Sequence, residues 1–267
     1  MHLGISVDGP KFLHDHFRRY WSGKPTHDLI TDNLSYLQKH KVNYYGLCTL
    51  TNNSLDYPEE IFYYFMQNKF SRLGFNISEI KTANKNDYIS SREDSLIRIK
   101  EKLTTFMNRF YDLWVENKKP FIVREFDYYD SYIQITQDNP LFSLSDPSNK
   151  PLELLTIARN GDMSTFSCEL IDGTNEDPNQ FIIGNIHKID RLEEVFLNKK
   201  LIQMREEINS GVSKCKSSCD YFKVCGGGTA VSKYYEHKTF NSSVTKYCEL
   251  QIKSIADVCF FKKGLSI

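Results

Sequence analysis

Residues 3–10 read Leu3-Gly4-Ile5-Ser6-Val7-Asp8-Gly9-Pro10. Leu3, Ile5 and Val7 alternate with smaller residues at the two-residue period of a strand, and Asp8-Gly9-Pro10 ends the run with turn formers. The same grammar recurs twice. A helix is expected over residues 26–40, started by Pro25 and Thr26 and striped by Ile30, Leu34 and Leu37. Residues 42–51 form a second strand, after which Asp56 caps a helix with Pro58 in its first turn and Ile61, Phe62 and Phe65 inward. Leu73-Gly74-Phe75-Asn76-Ile77 is the third strand. Ile99, Leu103, Phe106, Phe110 and Leu113 then mark a long amphipathic helix between about residues 91 and 116. Three strand–helix units predict an α/β fold with a parallel sheet. Ile5, Val7, Leu47, Phe75 and Ile77 are expected on its inner face, and three strands are too few to close a barrel.

Past Lys118 the pattern changes. Phe121-Ile122-Val123 is a short strand, and residues 127–152 read as an irregular bridge with Pro140 and Pro147. Residues 154–166 form a hairpin around Asn160-Gly161. A helix over 190–208 ends at Ser210-Gly211, and a last one over 243–261 carries Cys248, Ile252, Ile255 and Cys259 on one face. The expected division is 1–126, 127–152 and 153–267.

Composition narrows the classes. The 34 Lys and Arg balance the 34 Asp and Glu, so no global field favours nucleic acid or an anionic membrane. An apolar share of 40% with 13% aromatic residues suits a buried core. No apolar run approaches the ~20 residues of a membrane helix. The opening residues lack the features of a signal peptide. A cytoplasmic protein with reduced thiols is expected, which argues against disulfides among its seven cysteines. No H-x-x-H or H-E-x-x-H spacing supports a catalytic zinc, and neither a Ser–His–Asp grouping nor a phosphate-binding loop can be read.

Four cysteines stand apart. Cys215, Cys219, Cys225 and Cys248 follow the spacing C-x3-C-x5-C-x22-C. Zinc sites more often use C-x2-C pairs. Three ligands in one compact loop, with a fourth at a helix start, suit an iron–sulfur cubane. Gly226-Gly227-Gly228 lets the backbone wrap and turn N–H groups toward sulfur. Spacing alone ranks iron–sulfur ahead of zinc, and unligated buried thiols last. Cys48 and Cys259 read as core thiols, and Cys168 has no partner set.

The run CKSSCDYFKVCGGG, together with Phe240-Asn241-Ser242-Ser243-Val244-Thr245-Lys246-Tyr247-Cys248, resembles the SPASM extension of radical SAM peptide maturases. Gly4 to Pro10 with His14-Asp15 and Arg18 resembles those enzymes' fourth barrel strand and its loop. Phe75-Asn76-Ile77-Ser78-Glu79 resembles the sixth strand, and Val123-Arg124-Glu125-Phe126 a segment after the barrel. Ser164 to Ser167 and Gly184-Asn185-Ile186 match as well. Within the superfamily the likeness is to maturases of glycine-rich and related ribosomal peptides, the GrrM or XyeB type. It spans essentially the whole chain, in order.

The resemblance implies a partial radical SAM (β/α) barrel over 1–126 and a SPASM domain over 153–267. It implies one auxiliary 4Fe–4S cluster on Cys215, Cys219, Cys225 and Cys248, and a precursor peptide as substrate. In the family, reductive cleavage of S-adenosylmethionine gives a 5′-deoxyadenosyl radical that abstracts a hydrogen from the peptide. The family's cluster for that step uses C-x3-C-x2-C, which is absent: Cys48 is the only cysteine before Cys168. Cys168 and Gly184 fit the front of a second-cluster pattern, but Ile189 stands where its closing cysteine belongs.

Ser6 and Arg18 are the candidates for S-adenosylmethionine, which would bind only if an N-terminal radical SAM half were supplied in trans. Asp8 is expected to fix the Gly9-Pro10 turn. Glu79 and Glu125 lie at strand ends, as candidates for peptide positioning or an ion pair. Tyr128, Tyr129 and Tyr132 read as core or as a peptide groove. The alternative reading is a non-catalytic peptide-binding module or a zinc or iron–sulfur scaffold.

Overall fold

The computed structural model describes residues 3–78, 93–174 and 177–267. The chain divides into two compact units, Met1–Asp138 with Glu249–Ile267, and Asn139–Cys248. The first unit runs β1 (Leu3–Ser6), α1 (Lys11–Phe17), α2 (His27–Lys39), β2 (Tyr44–Leu50), α3 (Pro58–Gln67), β3 (Arg72–Ile77), α4 (Glu93–Glu116), β4 (Ile122–Val123) and α5 (Arg124–Asp138). The strands pair in parallel in the order β1-β2-β3-β4. The expected α/β fold is present, with the short strand at Ile122 as the fourth member of the sheet.

Register decides which residues meet the helices. Gly46 lies opposite Leu73, Cys48 opposite Phe75 and Leu50 opposite Ile77, and all six are buried. A Cβ on Gly46 would come within 2.6 Å of the Phe65 ring on α3. Phe75 meets Phe110 of α4 edge-to-face, centroids 5.0 Å apart, the geometry that ring quadrupoles favour. The other face carries Ser6, Leu47 and Gly74, which share one register row. Leu47 therefore lies on the face away from the helices, which is the inner one of a barrel, while Phe75 and Ile77 lie on the helix-covered face, so the expected inner face holds at Leu47 and is wrong at Phe75 and Ile77.

Two further expectations need correction. Asp56 does not cap α3; Tyr57 holds that position without a side-chain bond, and the Asp56 carboxylate pairs with Lys102 Nζ at 2.8 Å. The supposed bridge begins as helix α5. Phe126, Tyr129, Tyr132 and Ile133 form its buried stripe, a helical spacing hidden in a stretch whose polar and aromatic composition suggested irregular chain. Tyr129 and Tyr132 are core residues, while Tyr128 is exposed.

The chain returns to this unit at its end. A π-helical stretch, Cys248–Ser254, leads into the C-terminal helix Ile255–Lys262. β4 is only two residues long, so β3 outruns its neighbour, and side chains complete the ladder. Phe75 N–H donates to Glu125 Oε1 at 3.0 Å. Ile77 N–H donates to Gln251 Oε1 at 3.1 Å. The Phe75 carbonyl accepts from Arg124 and from Gln251 Nε2.

The second unit holds the antiparallel strands β5 (Leu155–Ile157), β6 (Asp162–Thr165) and β7 (Gly184–Asn185), in that order. The hairpin turns at Asn160-Gly161 as the sequence predicts, with Gly161 at φ +88°. Then come α6 (Lys199–Ser218), α7 (Phe222–Cys225) and α8 (Ala230–His237). Met163, Phe166, Ile183, Leu201, Ile208 and Phe240 are central to the buried core. α6 starts later than expected, where the Asn198 side chain accepts the Lys200 and Leu201 N–H groups. It also runs straight through Ser210-Gly211. Gly211 is there for close approach instead: a Cβ would meet the Phe240 carbonyl oxygen at 2.3 Å.

Candidate metal centre

Because α6 continues past Gly211, its last turn delivers Cys215 to the core side, on the face of Leu201, Met204 and Ile208. Cys219 follows as the C-cap in extended conformation, its N–H bonded to the Cys215 carbonyl at 3.0 Å. The single turn of α7 ends on Cys225. Gly226, Gly227 and Gly228 then take φ values of +67°, +102° and +70°, a run that only glycine adopts without strain. This turn aims Gly227 N–H at Cys225 Sγ, 3.4 Å away, and sets the Gly227 carbonyl 3.5 Å from Cys215 Sγ.

Cys248 is fixed from the other side of the loop. Its N–H donates to Thr245 Oγ1 at 3.0 Å, and Thr245 N–H donates to Cys248 Sγ at 3.3 Å. This is a reciprocal capping box with sulfur in the place of a carboxylate. The Ser243 carbonyl two residues before Thr245 lies 3.2 Å from Cys215 Sγ. Gly227 therefore links Cys215 to Cys225, and residues 243–245 link Cys215 to Cys248. Burial pushes the Cys225 thiol up, the Gly227 and Gly228 N–H groups pull it down, and the nearby Cys219 and Cys215 sulfurs raise it, leaving it above its ordinary value.

The spacing is looser than the sequence suggested. Among the described residues, no three His, Cys, Asp or Glu side chains stand close enough to hold one metal ion. Thiolates at about 2.3 Å from a single zinc would lie about 3.8 Å from each other. A cubane spreads its ligands over four irons and sets them farther apart. The donor set fits such a cluster in its chemistry: four cysteines, two backbone N–H groups aimed at sulfur, and the ammonium of Lys233, only 2% exposed, with Nζ 3.5 Å from Cys215 Sγ. Lys233 escaped the sequence reading, and Thr245 entered it only as part of the run before Cys248, without a role. The available signal was a lysine on the same short helix as Ala230, Val231 and Tyr234, five residues past the glycines.

The other cysteines fall elsewhere. Cys48 and Cys259 are buried, and burial raises both thiols. Cys168 is exposed in a short turn, Cys168–Leu170.

In the first unit, Ser6 ends β1 on the sheet face away from the helices and is exposed. Arg18 is already engaged: Nε donates to Asp8 Oδ2 at 2.6 Å, and Nη2 to Asp8 Oδ1 at 3.0 Å and Thr49 Oγ1 at 3.3 Å. Asp8 also accepts Thr49 N–H at 2.9 Å. It thus ties two strand ends together rather than bonding the Gly9-Pro10 turn. Glu125 is a buried carboxylate in the β3–β4 region, paired with Arg124 at 2.5 Å. Burial pushes it up, Arg124 and the Phe75 N–H pull it down, and it remains above its ordinary value. Glu79 lies outside the described residues.

No family model matches the chain. It is 33% identical over 258 residues to the uncharacterized protein sll1766 of Synechocystis sp., covering 97% of this chain and 62% of that protein. It is 26% identical over 234 residues to a cysteine-type anaerobic sulfatase-maturating enzyme of Clostridium perfringens, covering 85% and 57%. The chain thus spans about six-tenths of the length of these relatives. Its fold matches anSMEcpe with bound AdoMet, at TM-score 0.71 and 20% identity over 98% of this chain and 67% of that one. It also matches Streptococcus suis SuiB bound to its precursor peptide SuiA, at TM-score 0.55 and 17% identity over 94% and 53%.

The chain is similar in sequence to the anaerobic sulfatase-maturating enzymes, and its α/β fold is that of anSMEcpe and SuiB. Among the described residues no helix is long and apolar enough to cross a membrane.

Proposed function

We propose that the chain is the auxiliary-cluster portion of a radical SAM/SPASM enzyme that modifies a ribosomally made peptide, as in the GrrM or XyeB type. Its parallel sheet is then part of a (β/α) barrel, and the 139–248 unit its SPASM domain. One 4Fe–4S cluster is held by Cys215, Cys219, Cys225 and Cys248. The observation that carries this reading is the joining of Cys215, Cys225 and Cys248 through Gly227 and residues 243–245, with the Cys219 N–H on the Cys215 carbonyl. Solved relatives with AdoMet and with precursor peptide support the cofactor and substrate class.

When bound, such a cluster supplies a centre that can accept an electron or stabilise its domain. The chain's own residues do the rest. The four thiolates hold the cluster, and the Gly227 and Thr245 N–H groups donate to sulfur. Ser6 offers a hydroxyl on the open sheet face for S-adenosylmethionine, and Arg18 orders the strand end beside it through Asp8. The 267 residues contain no C-x3-C-x2-C. Cleavage of S-adenosylmethionine would therefore need that motif from residues outside these 267.

Anaerobic reconstitution tests the proposal. The chain should take up about four irons and equal sulfide, and Ala at any of the four cysteines should abolish uptake. Ala at Cys48, Cys168 or Cys259 should leave it intact. Colourless protein carrying one zinc, or iron that survives loss of Cys248, would refute the assignment in favour of a structural scaffold.

A further inference from the structure

Lys233 is the unusual charge of the second unit. It sits on α8 between the buried Ser232 and Tyr234, 2% exposed, and Cys215 Sγ is the hydrogen-bond partner of its ammonium among the described residues. No carboxylate there pairs with it. An ammonium withdrawn from water is costly unless an anion compensates it, and a neutral thiol does not. A cluster carrying a 2+ core on four thiolates has a net charge of −2. One-electron reduction takes it to −3, with no bond or proton moved.

We propose that Lys233 is the built-in counter-charge of the cluster, positioned at its Cys215 corner, and that it favours the reduced form. This rests on the proposed cluster assignment. Two effects act in the same direction: the cation lowers the Coulomb energy of the added electron, and N–H donation to sulfur draws density from the iron. Lys233 touches a ligand rather than substrate, so it is a positioning residue and the reduction potential is its direct readout.

The test compares the intact chain with Lys233→Met and Lys233→Arg, each reconstituted anaerobically and titrated with dithionite under spectroscopic observation. Lys233→Met should reduce at least tenfold less favourably, a fall of about 59 mV or more for a one-electron couple. Lys233→Arg should stay within about twofold of the parent. Uptake by the Arg variant but not the Met variant would also support a needed positive charge. An unchanged midpoint in Lys233→Met overturns this role while leaving the cluster in place. Loss of the cluster from both variants overturns it in favour of packing, and a parent chain that takes no iron overturns both the role and the assignment.

Discussion

The side-chain oxygen of Gln251 accepts the backbone N–H of Ile77 at 3.1 Å, across 174 residues of chain. A residue from the π-helical stretch near the C-terminus thereby does what a strand would do for β3. Its amide nitrogen faces the Phe75 carbonyl two residues back, at 3.4 Å, so one amide spans consecutive ladder positions on the same strand edge.

Replacing Gln251 by Ala or by Met should destabilise the first unit by about 1–3 kcal/mol, the cost of a buried donor left without a partner. Met keeps the volume, so agreement between the variants isolates the hydrogen bonds from any cavity. Amide exchange at Ile77 should quicken in both. Unchanged denaturant midpoints would show that the contact contributes nothing.

Glu125 gives a pH signature. Its folded carboxyl lies above 4.5 because burial outweighs Arg124. The folded state therefore binds this proton more tightly than the unfolded state does. The stability Glu125 contributes is fully present below that value and is lost as pH rises through the folded pKa. Glu125→Gln cannot titrate. The parent's stability relative to this variant should therefore fall as pH rises past 4.5 and through the raised folded value, measured as paired urea midpoints. A difference that stays flat with pH contradicts the shift.

Gly211→Ala sets helix propensity against packing. Alanine in mid-helix gains about 1 kcal/mol. The new methyl, however, would stand 2.3 Å from the Phe240 carbonyl oxygen and 3.0 Å from that of Ser242, and such overpacking costs about 1–3 kcal/mol. Backbone cannot rotate aside as a side chain can, so the variant should be less stable. It should also hold iron more weakly, since the displaced segment leads to Thr245 and Cys248. A stabilised variant with full iron content would be the contrary result.

Arg18 and Ser6 should separate cleanly. Arg18→Ala removes charged hydrogen bonds to a buried Asp8, at about 1.5–3 kcal/mol. Ser6→Ala on the exposed sheet face should stay within about 0.5 kcal/mol. Thermal melts of the two variants decide it; a silent Arg18→Ala would mean that Asp8 needs no partner.

Much of this was legible from period and punctuation. Leu3 to Val7, residues 42–51 and Leu73 to Ile77 declare strands because one face of each is buried against aromatic helices. Asn160-Gly161 declares its turn because few other pairs accept that backbone. What stayed hidden depended on contacts distant in sequence. Gly211 reads as a helix stop until Phe240 is seen pressing on it. Residues 127–138 read as irregular bridge until Tyr129, Tyr132 and Ile133 are seen to share a side with Phe126. Lys233 carries only a faint local mark, a lysine among apolar residues of a short helix, since its meaning lies in a sulfur eighteen residues earlier.

The second unit interrupts the first between Asp138 and Glu249, and this orders events on the ribosome. The 110 residues of 139–248 (248 − 138) must be synthesised before Gln251 exists to complete β3. At about 5–20 residues per second that is a wait of about 5–20 s. During it, β3 waits with its edge at Phe75 and Ile77 lacking the Gln251 amide. A nascent-chain holdase covering that strand edge would matter most in that interval.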